Sequence, residues 1–66
     1  MKKEYVIVVI HGPHQAYYKC EHMNILFTET ALTDATVTQN LEWLQARCDH
    51  LVQTFDELEF EIKTLN

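Results

Sequence analysis

The chain has 66 residues, of which 47% are hydrophobic and 23% charged, which predicts one small globular domain over residues 1–66 and excludes a disordered chain. Ten acidic and five basic residues give a formal net charge of -5, and the bases are scattered, which disfavours direct nucleic-acid binding. The N-terminal apolar run, six residues long, is too short for a membrane span or a signal peptide, and we expect a cytosolic protein.

The first predicted element is a hairpin that covers residues 4–27. Its first strand, Tyr5–Ile10, is β-branched after the tyrosine and apolar on both faces, which is typical of a strand covered on both sides. Gly12 and Pro13 predict the turn, and residues 16–27 the second strand. Because one helix covers only one face of the first strand, we expect a homodimer to cover the other.

The second strand divides into two halves of different character. Residues 17–22 are polar and aromatic, whereas residues 23–27 are apolar apart from Asn24. We therefore expect the outer half to project beyond the core and the inner half to pack on the helix.

A long amphipathic helix is predicted at about residues 33–56. Its apolar positions recur at spacings of three and four, which at about 100° per residue form one stripe. The stripe consists of Val37, Leu41, Leu44, Cys48, Leu51, Val52 and Phe55. Glu42, Asp49 and Asp56 recur every seven residues on the opposite side. Thr33 or Asp34 is the expected N-cap, and Thr36 with Gln39 forms a rival capping box.

The last predicted element is a strand at about residues 58–64. Leu58, Phe60 and Ile62 alternate with the acidic row Glu57, Glu59 and Glu61, which predicts a half-buried strand with a charged outer face. The predicted fold class is therefore α+β, in β-β-α-β order. A three-stranded, mainly antiparallel sheet packs on the helix, and the last strand flanks the first.

A zinc site is the alternative interpretation of the hairpin. His11, His14, Cys20 and His22 supply ligand types that zinc accepts, which would suit a metal-responsive regulator. In the expected register, however, Cys20 and His22 lie more than ~13 Å from His11 along the strands. We therefore expect no bound metal and no cofactor, with the histidines exposed near the turn.

Catalysis is not expected, and no residue is predicted to be catalytic. The chain has no serine to act as a nucleophile, and its single glycine cannot build a phosphate-binding loop. Cys48 and His50 point about 200° apart on the helix, so they cannot form a local nucleophile–base pair. We also expect Cys20 and Cys48 to remain unbonded, since disulfides are rare in the cytosol.

The predicted partner-binding residues are aromatic, basic and acidic. Trp43 lies at the rim of the helical stripe beside Arg47, where it is either the edge of the core or an exposed anchor of the type enriched at interface hot spots. Tyr17 and Tyr18 face opposite ways on the hairpin, so we expect at least one to be exposed. The acidic candidates are Glu42, Asp49, Glu59 and Glu61.

Together these features predict a non-catalytic protein-binding module, either an adaptor or an inhibitor that occupies a surface of a larger protein with a basic face. Small acidic chains of this kind are common in bacteria and their phages, and phage origin is one expected setting. In a special case, the acidic rows imitate a phosphate backbone and block a nucleic-acid-binding enzyme. Such mimicry predicts binding that weakens steeply with salt.

Overall fold

A computed structural model describes residues 3–65, which form one antiparallel sheet and one α-helix. The elements are β1 Tyr5–His11, β2 His14–His22, β3 Ile25–Glu29, a short 3-10 helix Leu32–Asp34, α1 Leu41–Thr54 and β4 Glu59–Thr64. The strand order across the sheet is β3-β2-β1-β4. The α+β class is confirmed. The predictions of three strands and of a β-β-α-β order are wrong, because the sheet has four strands and three of them precede α1.

Strand β1 is the centre of the fold. It pairs antiparallel with β2 on one side and with β4 on the other, so the last strand does flank the first. Ile7 and Val9 face α1, and alternation turns Val6 and Val8 to the opposite side of the sheet. All four are at most 8% exposed. A single chain therefore buries both faces of β1 here, and this strand gives no reason for a dimer.

Two tight turns shape the β1–β2–β3 meander. Gly12 has a φ of 59° at the first central position of the β1–β2 turn, where glycine carries no steric penalty. Met23 and Asn24 have φ of 51° and 64°, a pair of positive values typical of a type I′ hairpin turn. This second turn divides the predicted strand 16–27 into β2 and β3. The prediction missed it because Met23 is not a turn-forming residue.

The helix is shorter than predicted and begins at Leu41. The backbone of the β-branched segment before it is used in strand-like bonds instead, since Tyr5 and Thr38 exchange two N–H···O bonds and the Thr36 N–H donates to the Tyr18 carbonyl. Neither predicted capping group starts the helix. The N-cap is Asn40, whose side-chain oxygen accepts a 3.0 Å bond from the Trp43 N–H.

The core lies between α1 and one side of the sheet, which we call the helix side. Leu44, Cys48 and Leu51 are its buried helical residues, and they meet a buried group from the strands. That group consists of Ile7, Val9 and Tyr18, with Tyr5, Leu26, Phe60 and Ile62 packed around it. The apolar stripe is narrower than predicted.

Several predicted core residues lie outside this core. Leu41 and Val52 are 41% and 49% exposed, and Val37 precedes the helix. In the segment expected to pack on α1, Met23, Ile25 and Phe27 are exposed, and only Leu26 reaches the core. Among residues 3–65, no helix is both long enough and apolar enough to cross a membrane.

Candidate functional site

Trp43 and Arg47 form an exposed pair on the first half of α1. They are four residues apart, so they share one side of the helix. Trp43 is 42% exposed, and the Arg47 guanidinium lies 5.4 Å from the centroid of the indole ring. This distance is within the range of a cation–π interaction. The structure therefore places Trp43 at the surface rather than in the core.

Glu21 of β2 fixes the position of Arg47. Its carboxylate accepts a 3.0 Å hydrogen bond from the Arg47 guanidinium, and its other oxygen lies 3.1 Å from the His50 ring nitrogen Nε2. The Glu21 side chain is only 15% exposed. One largely covered carboxylate thus holds two side chains of α1, which limits the freedom of Arg47 before any partner binds.

A β-bulge explains why Glu21 reaches the helix. The β2–β3 register shifts between Tyr18 and Cys20, after which Glu21 pairs with Leu26, a residue packed against the core. Strict alternation would have put Glu21 on the side of the sheet away from α1. Glu21 was not predicted as a site residue, since no residue type in this segment indicates a bulge.

His50 and Thr54 continue the same arrangement along α1. The Thr54 hydroxyl donates to the His50 carbonyl at 2.8 Å and lies 3.4 Å from the His50 ring nitrogen Nε2. Trp43, Ala46, Arg47 and His50 line a shallow recess of about 250 Å³. We call these four residues together with Glu21 the helix-rim patch. It presents an aromatic ring and a cation to solvent, with the cation in an ion pair with Glu21.

The predicted tyrosine anchors do not join this patch. Tyr18 is 4% exposed in the core, so it offers no free surface in the monomer. Burial raises the pKa of its phenol, and the nearby Arg47 charge acts in the opposite direction. Tyr17 pairs with Val8 on the side of the sheet away from α1, which we call the outer side. There it lines a groove of about 660 Å³ with Glu61 and Lys63.

The acidic candidates are exposed but lie on two opposite surfaces. Glu42 and Asp49 are on the solvent side of α1. Phe60 and Ile62 of β4 pack on the helix side, so Glu59 and Glu61 face the outer side. The two acidic rows therefore form no single continuous face.

The hairpin histidines are not brought together. His11 and His14 are opposite each other across the β1–β2 turn, whereas His22 is at the far end of nine-residue β2, about 26 Å from His14. Cys20 lies nearer to His22, opposite Phe27. Within residues 3–65, no three His, Cys, Asp or Glu side chains are grouped where they could hold a metal ion.

Neither thiol is in a disulfide. Cys20 is exposed and Cys48 is buried. Burial raises the pKa of the Cys48 thiol, and the Asp49 charge adds to this effect. A thiol with a raised pKa contains little thiolate at neutral pH, so Cys48 is suited to packing rather than to nucleophilic attack.

No protein-family model, curated protein sequence or solved structure matches this chain.

Proposed function

We propose that this protein is a small, acidic, non-catalytic binding module that acts by occupying a surface of a larger protein. One observation carries the proposal: Trp43 is exposed, yet it lies beneath an arginine that a second element of the fold holds in place. Tryptophan and arginine are enriched among the residues that dominate protein–protein affinity. The helix-rim patch has both, side by side and already ordered.

The order of the patch favours tight binding. A free arginine loses much side-chain freedom when it docks, and this entropy loss opposes association. Here Glu21 restricts Arg47 in the unbound protein, so less freedom remains to be lost. A partner that covers the indole ring also removes apolar surface from water.

The charges around the patch indicate the chemistry of the partner. Glu42 and Asp49 are exposed on the same helix, and the whole chain has a formal net charge of -5. A partner with an apolar pocket for the indole ring and basic groups around it complements this surface. The basic rim would speed the encounter more than it would tighten the complex.

Mimicry of a nucleic acid is a weaker form of the same proposal. Mimicry requires a long, continuous acidic face, whereas the acidic rows of α1 and β4 lie on opposite sides of the molecule. An interface centred on Trp43 and Arg47 predicts modest salt dependence, whereas mimicry predicts a steep loss of affinity with salt. We therefore favour occupation of a protein surface through the helix-rim patch.

Comparative affinity capture tests this proposal. Wild-type protein, Trp43→Ala and Val52→Ala are immobilised in parallel and exposed to a bacterial lysate. Val52 is the matched control, since it is an apolar residue of α1 with similar exposure, 49% against 42%. We expect a protein that binds wild type and Val52→Ala but not Trp43→Ala. Equal capture by all three would contradict the assignment of the patch.

A further inference from the structure

The two edge strands of the sheet differ in the number of charged side chains that they carry. The β4 edge carries Glu59, Glu61 and Lys63, and charged side chains of this kind discourage pairing with another strand. The β3 edge has no charged residue from Ile25 to Thr28. Strand β3 therefore presents an unprotected edge.

Exposed apolar surface is concentrated beside this unprotected edge. Met23, in the turn before β3, is 81% exposed, and Ile25 and Phe27 within the strand are 58% and 44% exposed. Alternation places Ile25 and Phe27 together on the outer side, since Leu26 between them packs against the core. A row of apolar side chains thus runs along the edge that also offers free backbone groups.

The turn itself does not explain Met23. Its φ of 51° lies in the left-handed region, which is unfavourable for a residue with a side chain and is normally occupied by glycine or asparagine. A small polar residue would satisfy the turn better and would expose less apolar surface. Residues held in such conformations cluster at functional sites.

We propose that β3 pairs antiparallel with β3 of a second copy, which joins two four-stranded sheets into one of eight strands. A two-fold axis at Phe27 aligns all five residues of the strand. Phe27 then lies opposite Phe27 of the second copy, and aromatic cross-strand pairs stabilise antiparallel strands. The same register leaves Met23, in the turn before β3, just beyond the end of the ladder.

The charges of β3 fit a second copy of the same strand. Glu29 is the only charged residue of the strand, and its carboxylate lies 3.5 Å from the Lys19 ammonium of the same chain. No like charges therefore meet at the centre of the pair, and the two-fold arrangement makes the contact self-complementary. Each residue contributes the same contact twice.

Weak, concentration-dependent association is expected. A five-residue edge is at the small end of protein interfaces, and each chain carries a formal charge of -5. Salt screens this repulsion, so dimerisation should strengthen as salt rises. The capture proposed for the helix-rim patch uses a different surface, so either proposal can fail without the other.

Sedimentation equilibrium from micromolar to near-millimolar protein tests the dimer. The variants are Ile25→Lys and Phe27→Lys, which place a charge on the edge at exposed positions. Val52→Lys is the control, since Val52 on the helix is 49% exposed, between the values of Ile25 and Phe27. We expect a monomer–dimer equilibrium in wild type and Val52→Lys, and a dissociation constant at least tenfold higher in both edge variants. A wild type that stays monomeric, or edge variants that associate normally, would overturn the proposal.

A second measurement needs no variant. Amide NMR shifts of wild type are recorded over the same range of concentrations. Pairing through the edge predicts shifts that change with concentration along residues 23–31 and little elsewhere. Changes concentrated instead on α1 or β4 would show that another surface associates.

Discussion

The Arg47 guanidinium lies 3.0 Å from a carboxylate oxygen of Glu21, an ion pair that joins α1 to β2. Helix α1 packs chiefly against β1 and β4, so this pair extends its attachment across the sheet. The exposed Trp43 ring lies against the Arg47 guanidinium, so the ion pair also sets the position of the cation over the ring. We therefore expect the ion pair to matter more for the order of the surface around Trp43 than for the stability of the fold.

Glu21→Gln should loosen the helix-rim patch with little effect on stability. The substitution removes the charge that holds Arg47 and His50, and partly exposed ion pairs contribute about 1 kcal/mol or less. We expect the free energy of unfolding to fall by about 1 kcal/mol or less. We also expect lower fluorescence anisotropy of Trp43. Glu29→Gln is the control, since it removes the more exposed pair with Lys19. Unchanged Trp43 anisotropy in Glu21→Gln would show that the carboxylate does not order the patch.

The start of α1 is testable with two alanine substitutions. Asn40→Ala removes the side chain that accepts the Trp43 N–H bond, and loss of an N-cap costs about 1 kcal/mol. Thr33→Ala removes the cap expected from sequence, which here lies in the 3-10 helix. Urea unfolding should show destabilisation by Asn40→Ala and a change within about 0.5 kcal/mol for Thr33→Ala. The reverse order would move the helix start back to residue 33.

The free energy of unfolding should fall in alkaline solution. Burial raises the pKa of Cys48 and of Tyr18 above their ordinary values of 9.0 and 10.0. As the pH rises through those values, the unfolded chain loses these protons first, so it binds fewer protons and becomes favoured. The stabilisation is complete below the ordinary pKa of each group. It is lost as the pH rises through the raised pKa of that group in the folded protein.

Unfolding by urea across this pH range measures the effect. Tyr18→Phe and Cys48→Ala each remove one titrating group, so each should flatten the alkaline decline whatever its effect at neutral pH. Declines of the same slope in wild type and both variants would exclude these two groups as its source.

The part of the fold that sequence predicted depends on periodic burial. The spacing of Leu44, Cys48 and Leu51 predicted the buried side of the helix, because the core selects apolar residues there. The alternation of Phe60 with Glu59 and Glu61 predicted the last strand for the same reason. These patterns persist because the apolar residues in them contact the core directly.

The parts that sequence did not predict depend on backbone geometry. Met23 adopts a positive φ although it is not a turn-forming residue. The bulge before Cys20 is not indicated by any residue type in the sequence around it. Thr36 looked like a helix cap, but its backbone bonds to Tyr18 instead. Trp43 and Arg47 were predicted as neighbours by helical spacing, whereas Glu21 reaches Arg47 only through the bulge.

The dissociation constant of the Trp43→Ala variant for the captured partner tests the central claim most directly. We expect it to rise about 30-fold, which corresponds to about 2 kcal/mol, while the free energy of unfolding changes by less than about 1 kcal/mol because the ring is exposed. Val52→Ala should bind as wild type does. If Trp43→Ala binds with wild-type affinity, or instead loses about 3 kcal/mol of stability as a core tryptophan would, the helix-rim patch is not the binding surface.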